Sequence, residues 1–260
     1  MVVLAIGDVV GKTGCNFLRD RLPKLKRLKG IDVVIANGEN SADGNGITKS
    51  TIDFLFASGV DVITTGNHAF RRKESYEIYD ECEYLIRPAN YPDGTTPGHG
   101  MTILDMGKYR LAVINLMGNA FMEMSLDCPF HTVDKFIAKA EKEKINMIIV
   151  DFHAEATGEK RAMGYYLDGR VSAMFGTHTH VQTADATILP KGTGYITDVG
   201  MTGTVHSVLG VKPEIIIRKF KDKLPQRFEL ATGECKMNAV LMELDEKSGK
   251  TFSIEAMEIR

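Results

Sequence analysis

The chain has 260 residues, 43% of them hydrophobic, with 32 basic and 34 acidic side chains, enough apolar material for a sizeable core in one large domain or two small ones. The near-zero net charge excludes a broadly basic nucleic-acid surface but not a small nucleotide ligand. Four scattered cysteines without a Cys-x-x-Cys pair argue against a disulfide framework or a thiolate zinc site and for a reducing cytoplasm, and no apolar run approaches the about 20 residues of a membrane span.

Residues 2–6 form a short apolar run without the basic start of a signal peptide, and read as a buried first strand. Apolar residues at helical spacing mark a helix over 15–28, with Pro23 expected to kink or end it. A second buried strand over 31–36 ends at Asn37-Gly38-Glu39-Asn40. Thr48 is a suitable N-cap for a helix through Ser58, and a third strand over 60–64 ends at Gly66-Asn67-His68. A helix over 72–79, a brief strand over 84–86 and a Gly- and Pro-rich loop over 92–100 follow. Residues 101–106 and 109–116 flank Gly107-Lys108 as a hairpin, and 117–130 show no period and read as loop. Helix 132–144, strand 147–152, helix 155–166 and strand 171–175 continue the alternation that signals parallel α/β units. Beyond lie short strands over 187–189 and 194–197, a helix over 213–221, and antiparallel strands over 227–230, 235–244 and 251–257. Two packed sheets with helices outside are therefore expected, and the lack of a linker or repeat makes 1–260 one domain.

Five polar clusters each follow an apolar strand: Gly7-Asp8, Gly38-Glu39-Asn40, Gly66-Asn67-His68, Phe152-His153 and Gly176-Thr177-His178-Thr179-His180. In open α/β sheets, ligands bind beyond the carboxyl ends of strands. If the strands are parallel, the clusters converge on one rim and bring two carboxylates, two amides and four imidazoles. In an extended segment His178 and His180 would point to the same side and reach one point. Mixed N/O donors without thiolate suit Fe, Mn, Co or Zn, and so many ligands fit two ions about 3.5–4 Å apart better than one. Gly7 to Thr13 offers a rival P-loop reading, but only three residues separate its glycines where the phosphate cradle needs four. His99, His131 and His206 fall outside the clusters and read as surface or supporting residues.

These motifs resemble the calcineurin-like metallophosphoesterase superfamily, whose pattern is Asp-x-His, Gly-Asp, Gly-Asn-His, a lone His, then Gly-His-x-His. Val10 stands where the first His would be, Glu39-Asn40 replaces the usual Asp, and one more residue precedes His178. Those departures match the YmdB-like 2′,3′-cyclic-nucleotide 2′-phosphodiesterases, as do Arg87-Pro88-Ala89-Asn90, Asp151 to Thr157, Gly176 to Asp185 and Thr197 to Gly203. The resemblance implies a four-layer α/β/β/α sandwich of two packed mixed sheets and a centre of two divalent or trivalent metal ions. Iron or manganese leads, with zinc, cobalt or magnesium as alternatives. Carried over by motif, Asp8, Glu39, Asn40 and His180 hold one ion, Glu39 bridges, and Asn67, His153 and His178 complete the other. His68 is the proton donor.

Phosphodiester hydrolysis needs an in-line nucleophile, charge neutralisation and a protonated leaving group. Water between two cations is deprotonated near neutral pH and attacks phosphorus. His68, facing away from its neighbour Asn67, protonates the leaving ribose oxygen, worth about 10²–10⁴-fold. A 2′,3′-cyclic nucleotide then opens to the 3′-nucleotide. The alternative is a nucleotide- or RNA-linked regulatory protein with an RNA-processing partner and secondary hydrolysis. A homo-oligomer without a membrane partner is expected. Arg87, Asn90, Thr179 and Asp198 form a second tier that orients ligands or contacts substrate, with turn and strand-end roles as the alternative.

Overall fold

In β1 (Val2–Ile6), Val3 and Ala5 point to one face and Leu4 and Ile6 to the other, and all four are fully buried. Such two-sided burial demands a layer on each face. The computed structural model describes residues 1–92 and 94–260. Residue 93, in the loop expected over 92–100, lies outside the described residues.

After β1 come β2 (Asp8–Val9), α1 (Gly11–Lys29), β3 (Val33–Asn37), α2 (Lys49–Ala57), β4 (Val62–Thr64), a 3-10 turn (Lys73–Ser75) and α3 (Tyr76–Glu81). The hairpin is β5 (Met101–Asp105) and β6 (Arg110–Met117), followed by α4 (Pro129–Lys142), β7 (Met147–His153), α5 (Thr157–Leu167) and β8 (Ala173–Thr177). The rest is β9 (Thr187–Ile188), β10 (Gly194–Ile196), β11 (Met201–Thr204), α6 (Pro213–Asp222), β12 (Cys235–Leu244) and β13 (Thr251–Ile259).

The first sheet has the order β2–β11–β12–β1–β3–β4. β13 and β1 pair the same residues of β12, so they occupy its opposite edges. β1, β3 and β4 are parallel. The second sheet is β5–β6–β7–β8–β10–β9, with β6, β7, β8 and β10 parallel and antiparallel strands at both edges. Between the sheets, Val3, Ala5, Val33 and Ile35 pack with Val113, Ile149, Ala173 and Phe175. On the outer face of the first sheet, Leu4, Ile6 and Val34 meet Leu18, Leu22 and Leu25 of α1. Beyond the second, Ile114, Ile148 and Val150 meet Val133 and Ile137 of α4 and Met163 of α5. The fold is the expected four-layer α/β/β/α sandwich.

Local signals explain most boundaries. Thr48 and Thr51 form a reciprocal capping box at the start of α2. α1 ends at Gly30, whose φ of 61° closes the helix through an N–H bond to Lys26 O, with Lys26, Arg27 and Lys29 against its C-terminal dipole. Pro23 does not end α1, which continues to Lys29 because its apolar face at Leu18, Leu22 and Leu25 is buried on the sheet. Three expectations fail. The strand over 84–86 reduces to one isolated bridge, Leu85 to Ile63. Residues 227–230 are not a strand; only Leu230 forms a bridge, to Val211. β11, unforeseen, exists through long-range pairing with β2 and β12, which leaves no local signature in Met-Thr-Gly-Thr. Among the described residues no helix is long and apolar enough to cross a membrane.

Candidate metal centre

Both sheets end their parallel strands at the same rim, so residues far apart in sequence meet there. Two glycines are required by this close approach. A Cβ on Gly66 would lie 2.3 Å from His153 Nε2, and a Cβ on Gly176 would lie 1.8 Å from the Thr197 carbonyl oxygen. The glycine before Asn67 admits the His153 imidazole, and the glycine at the end of β8 admits the neighbouring backbone.

His153 Nε2 lies 2.8 Å from Asn67 Oδ1, 3.1 Å from His178 Nδ1 and 3.2 Å from Glu39 Oε1. Hydrogen bonds to other groups set these imidazoles. Thr177 Oγ donates to Asp151 at 2.7 Å and so accepts from His153 Nδ1 at 2.9 Å, which turns Nε2 toward the cluster. On the other side, Glu155 lies 3.1 Å from His178 Nε2. Four nitrogen and oxygen atoms that can ligate a metal thus converge. Donor atoms about 2.1 Å from one ion and at right angles around it are about 3.0 Å apart, so this spacing fits a metal ion.

The second group is Asp8, Asn40 and His180. His180 Nε2 is 3.5 Å from Asp8 Oδ1 and 3.2 Å from the Asn40 amide, while its Nδ1 lies 3.2 Å from Leu209 O, where it donates. Asn40 Nδ2 faces Asp8 and Glu39, each at 3.3 Å, and its Oδ1 faces His68 Nδ1 at 2.8 Å. Ligation through Oδ1 would turn this amide over, an exchange of two nearly isosteric atoms. His68 also donates its backbone N–H to Glu39 Oε2 at 3.0 Å. Glu39 therefore touches both groups, and Asp8 Oδ2 accepts the His178 N–H at 3.1 Å.

The electrostatics call for added positive charge. Asp8 and Glu39 are buried, and among the described residues neither makes an ion pair with lysine or arginine. Burial alone would raise both carboxyls, but His180 and His153 hold Asp8 well below its ordinary value, and His153 and His68 lower Glu39. Burial would lower His153, yet Glu39 and Asp8 drive it up to about 9. Burial and the neighbouring His153 lower His178 to about 3. Burial also lowers His68, against Glu39. The pull on His153 is a demand for a cation where these atoms meet, and a metal ion satisfies it. Glu39, His153 and His178 alone offer three donor atoms within 4.8 Å of one another. All four cysteines are free and none belongs to that group, so the donors are nitrogen and oxygen.

His178 and His180 are not on an extended strand, because β8 ends at Thr177. Their φ values of 104° and 62° are left-handed, which costs non-glycine residues about 1–3 kcal/mol each. The two rings consequently reach separate groups rather than one point. The residue between them holds the turn. Thr179 N and Oγ donate to Asp198 Oδ2 at 3.1 and 2.8 Å, and Lys160 Nζ donates to the same oxygen at 2.7 Å. Lys160 is wholly buried. Sequence reasoning had Thr179 and Asp198 but missed Lys160, which carries no signal in its helix. It also missed Asn37 and Asp151, buried behind His153, and Glu155. Arg87 and Asn90 bind backbone carbonyls instead: Arg87 bonds Pro88 O and Gly98 O, and Asn90 bonds Met117 O and Asp127 O. The P-loop rival fails too, since Gly11 N–H is spent on Asn40 O at 2.9 Å.

The family model for YmdB-like proteins matches residues 4–257. The chain belongs to the YmdB-like family. It is 49% identical over 255 residues to the 2′,3′-cyclic-nucleotide 2′-phosphodiesterase of Bacillus subtilis (strain 168), covering 98% of this chain and 96% of that one. Among solved structures, a hypothetical protein from Thermus thermophilus superposes with a TM-score of 0.92 at 43% identity, covering 100% and 99% of the two chains. A novel phosphatase from Mycoplasma pneumoniae gives a TM-score of 0.93 at 36% identity, covering 100% and 93%. The YmdB-like fold is therefore shared over the full described length.

Proposed function

We infer that this YmdB-like chain is a metal-dependent phosphodiesterase that opens 2′,3′-cyclic nucleotides to 3′-nucleotides. The observation that carries the reading is the convergence of His153 Nε2, Asn67 Oδ1, His178 Nδ1 and Glu39 Oε1 within hydrogen-bond distances, beside buried Asp8. The relative from Bacillus subtilis, similar over nearly the whole chain, supports the substrate class. Asp8, Asn40 and His180 would hold one ion and Asn67, His153 and His178 the other, with Glu39 shared. Two such ions, iron or manganese first by the family resemblance, would neutralise phosphoryl oxygens and supply an activated water.

The chain's own residues do the rest. The Asn40 side-chain amide fixes His68 at Nδ1, 2.8 Å away, leaving Nε2 to face the cleft and hand a proton to the leaving 2′ oxygen. Its lowered basicity makes the protonated ring a stronger acid. Lys160, Asp198 and Thr179 position His178 and His180. The test is elemental analysis of protein purified without added metal, with turnover of 2′,3′-cyclic AMP and bis-p-nitrophenyl phosphate. About two iron or manganese ions per chain and diester turnover are expected. Full occupancy without turnover would leave a binding module and refute the assignment.

A further inference from the structure

The centre opens into a cavity of about 810 Å³, within the range of small-ligand sites. Its lining joins Glu39, His68, His178 and His180 to a second wall that includes Leu209, Phe220, Gln226, Phe228 and Leu230. That wall is tied directly to the centre. Leu209 O accepts from His180 Nδ1, Val211 bridges both Val208 and Leu230, and Lys212 N donates to Glu229 O at 3.0 Å. The Leu230 side chain lies against Gly11 and Gly44, where an added Cβ would come within 2.3 and 2.7 Å of it. The N–H groups of those two glycines both bond Asn40 O, at 2.9 and 3.0 Å. Phe228, two residues from Leu230, is thus anchored to backbone around a candidate ligand.

The wall offers what phosphate chemistry does not use. Phe220 is 65% exposed and Phe228 48%, so two aromatic faces stand open beside a polar centre. Lys219 Nζ lies 4.8 Å from the Phe228 ring centroid and braces it. Gln226 is half-buried on the same wall, and its side-chain amide has no hydrogen-bond partner among the described residues. Aromatic faces accept any nucleobase, and a free amide presents one donor and one acceptor to a base edge. We propose that Phe220 and Phe228 stack the nucleobase of the substrate and that Gln226 bonds its edge, a subsite that rests on the cyclic-nucleotide reading.

The experiment compares kcat/KM for 2′,3′-cyclic AMP with that for the base-free 1,2-cyclic phosphate of glycerol, using metal-loaded full-length protein. In Phe228→Ala and in Phe220→Ala/Phe228→Ala the ratio of the two falls about tenfold or more, mainly through KM for the nucleotide. In Gln226→Ala the preference between 2′,3′-cyclic AMP and 2′,3′-cyclic UMP shifts. An unchanged ratio, or an equal fall for both esters, overturns the subsite. So does a dimer on gel filtration that the double substitution makes monomeric without moving the ratio, which would place a second copy on this wall. If the wild type hydrolyses neither ester, the functional reading fails separately. Calorimetry with adenosine 3′-monophosphate then decides the subsite: weaker binding in Phe228→Ala sustains it, and equal binding overturns it.

Discussion

Replacing Lys160 by methionine removes a charge and keeps most of the volume. Lys160 and Asp198 have side chains 0% and 1% exposed, 2.7 Å apart. The Asp198 carboxylate would retain Thr179 N, Thr179 Oγ and Gly200 N as donors but lose the one cation it pairs with among the described residues. Removing one partner of a buried pair strands a charge, at about 3–5 kcal/mol. For a chain of this size that is a melting temperature lower by about 6–20 °C, at about 2–4 °C per kcal/mol. The same stranded carboxylate is the acceptor that holds Thr179 between two left-handed histidines. Metal content should therefore fall along with stability. The assay is calorimetric unfolding with elemental analysis of Lys160→Met, Asp198→Asn and the double variant. The double variant should be less destabilised than the sum of the single ones, because neither partner is then charged. A drop below about 2 °C in Lys160→Met, or strict additivity, would refute the account.

Three further outcomes test the centre. His68→Ala should keep both ions and lose about 10²–10⁴ in kcat, and a protein with one ion would make His68 a ligand instead. Glu39→Ala should lose metal and turnover together, since Glu39 touches both groups; two ions at full occupancy would remove its shared role. Gly66→Ala should displace the His153 ring, which an added Cβ would approach within 2.3 Å, and lower metal content without unfolding the sheets. Unchanged metal binding there would show that the ring can move at no cost.

Much of the fold was legible because period and punctuation are local. Continuous apolar runs marked buried strands, and Thr48 marked the start of α2. Strand-end clusters pointed to one rim because parallel strands must deliver their C-terminal ends to the same place. The failures share one cause. β11 and the absent strand at 227–230 depend on which distant edge is free to pair, and no local pattern records that. Pro23 was tolerated because burial of its helix face outweighs one missing hydrogen bond.

By itself the sequence determined the kinds of donor available, the α/β/β/α layering and the residues that cap each strand. Only the tertiary structure decided how those donors are held. It bent the backbone at His178 and His180, which carries their rings to the separate groups that the family motif assigned them, and it turned His153 through Thr177 and Asp151. It also brought Lys160, 38 residues from Asp198 in the chain, to the carboxylate that fixes Thr179. Residue type is a local property, whereas tautomer, orientation and charge balance are set by neighbours that arrive only when the sheets pack.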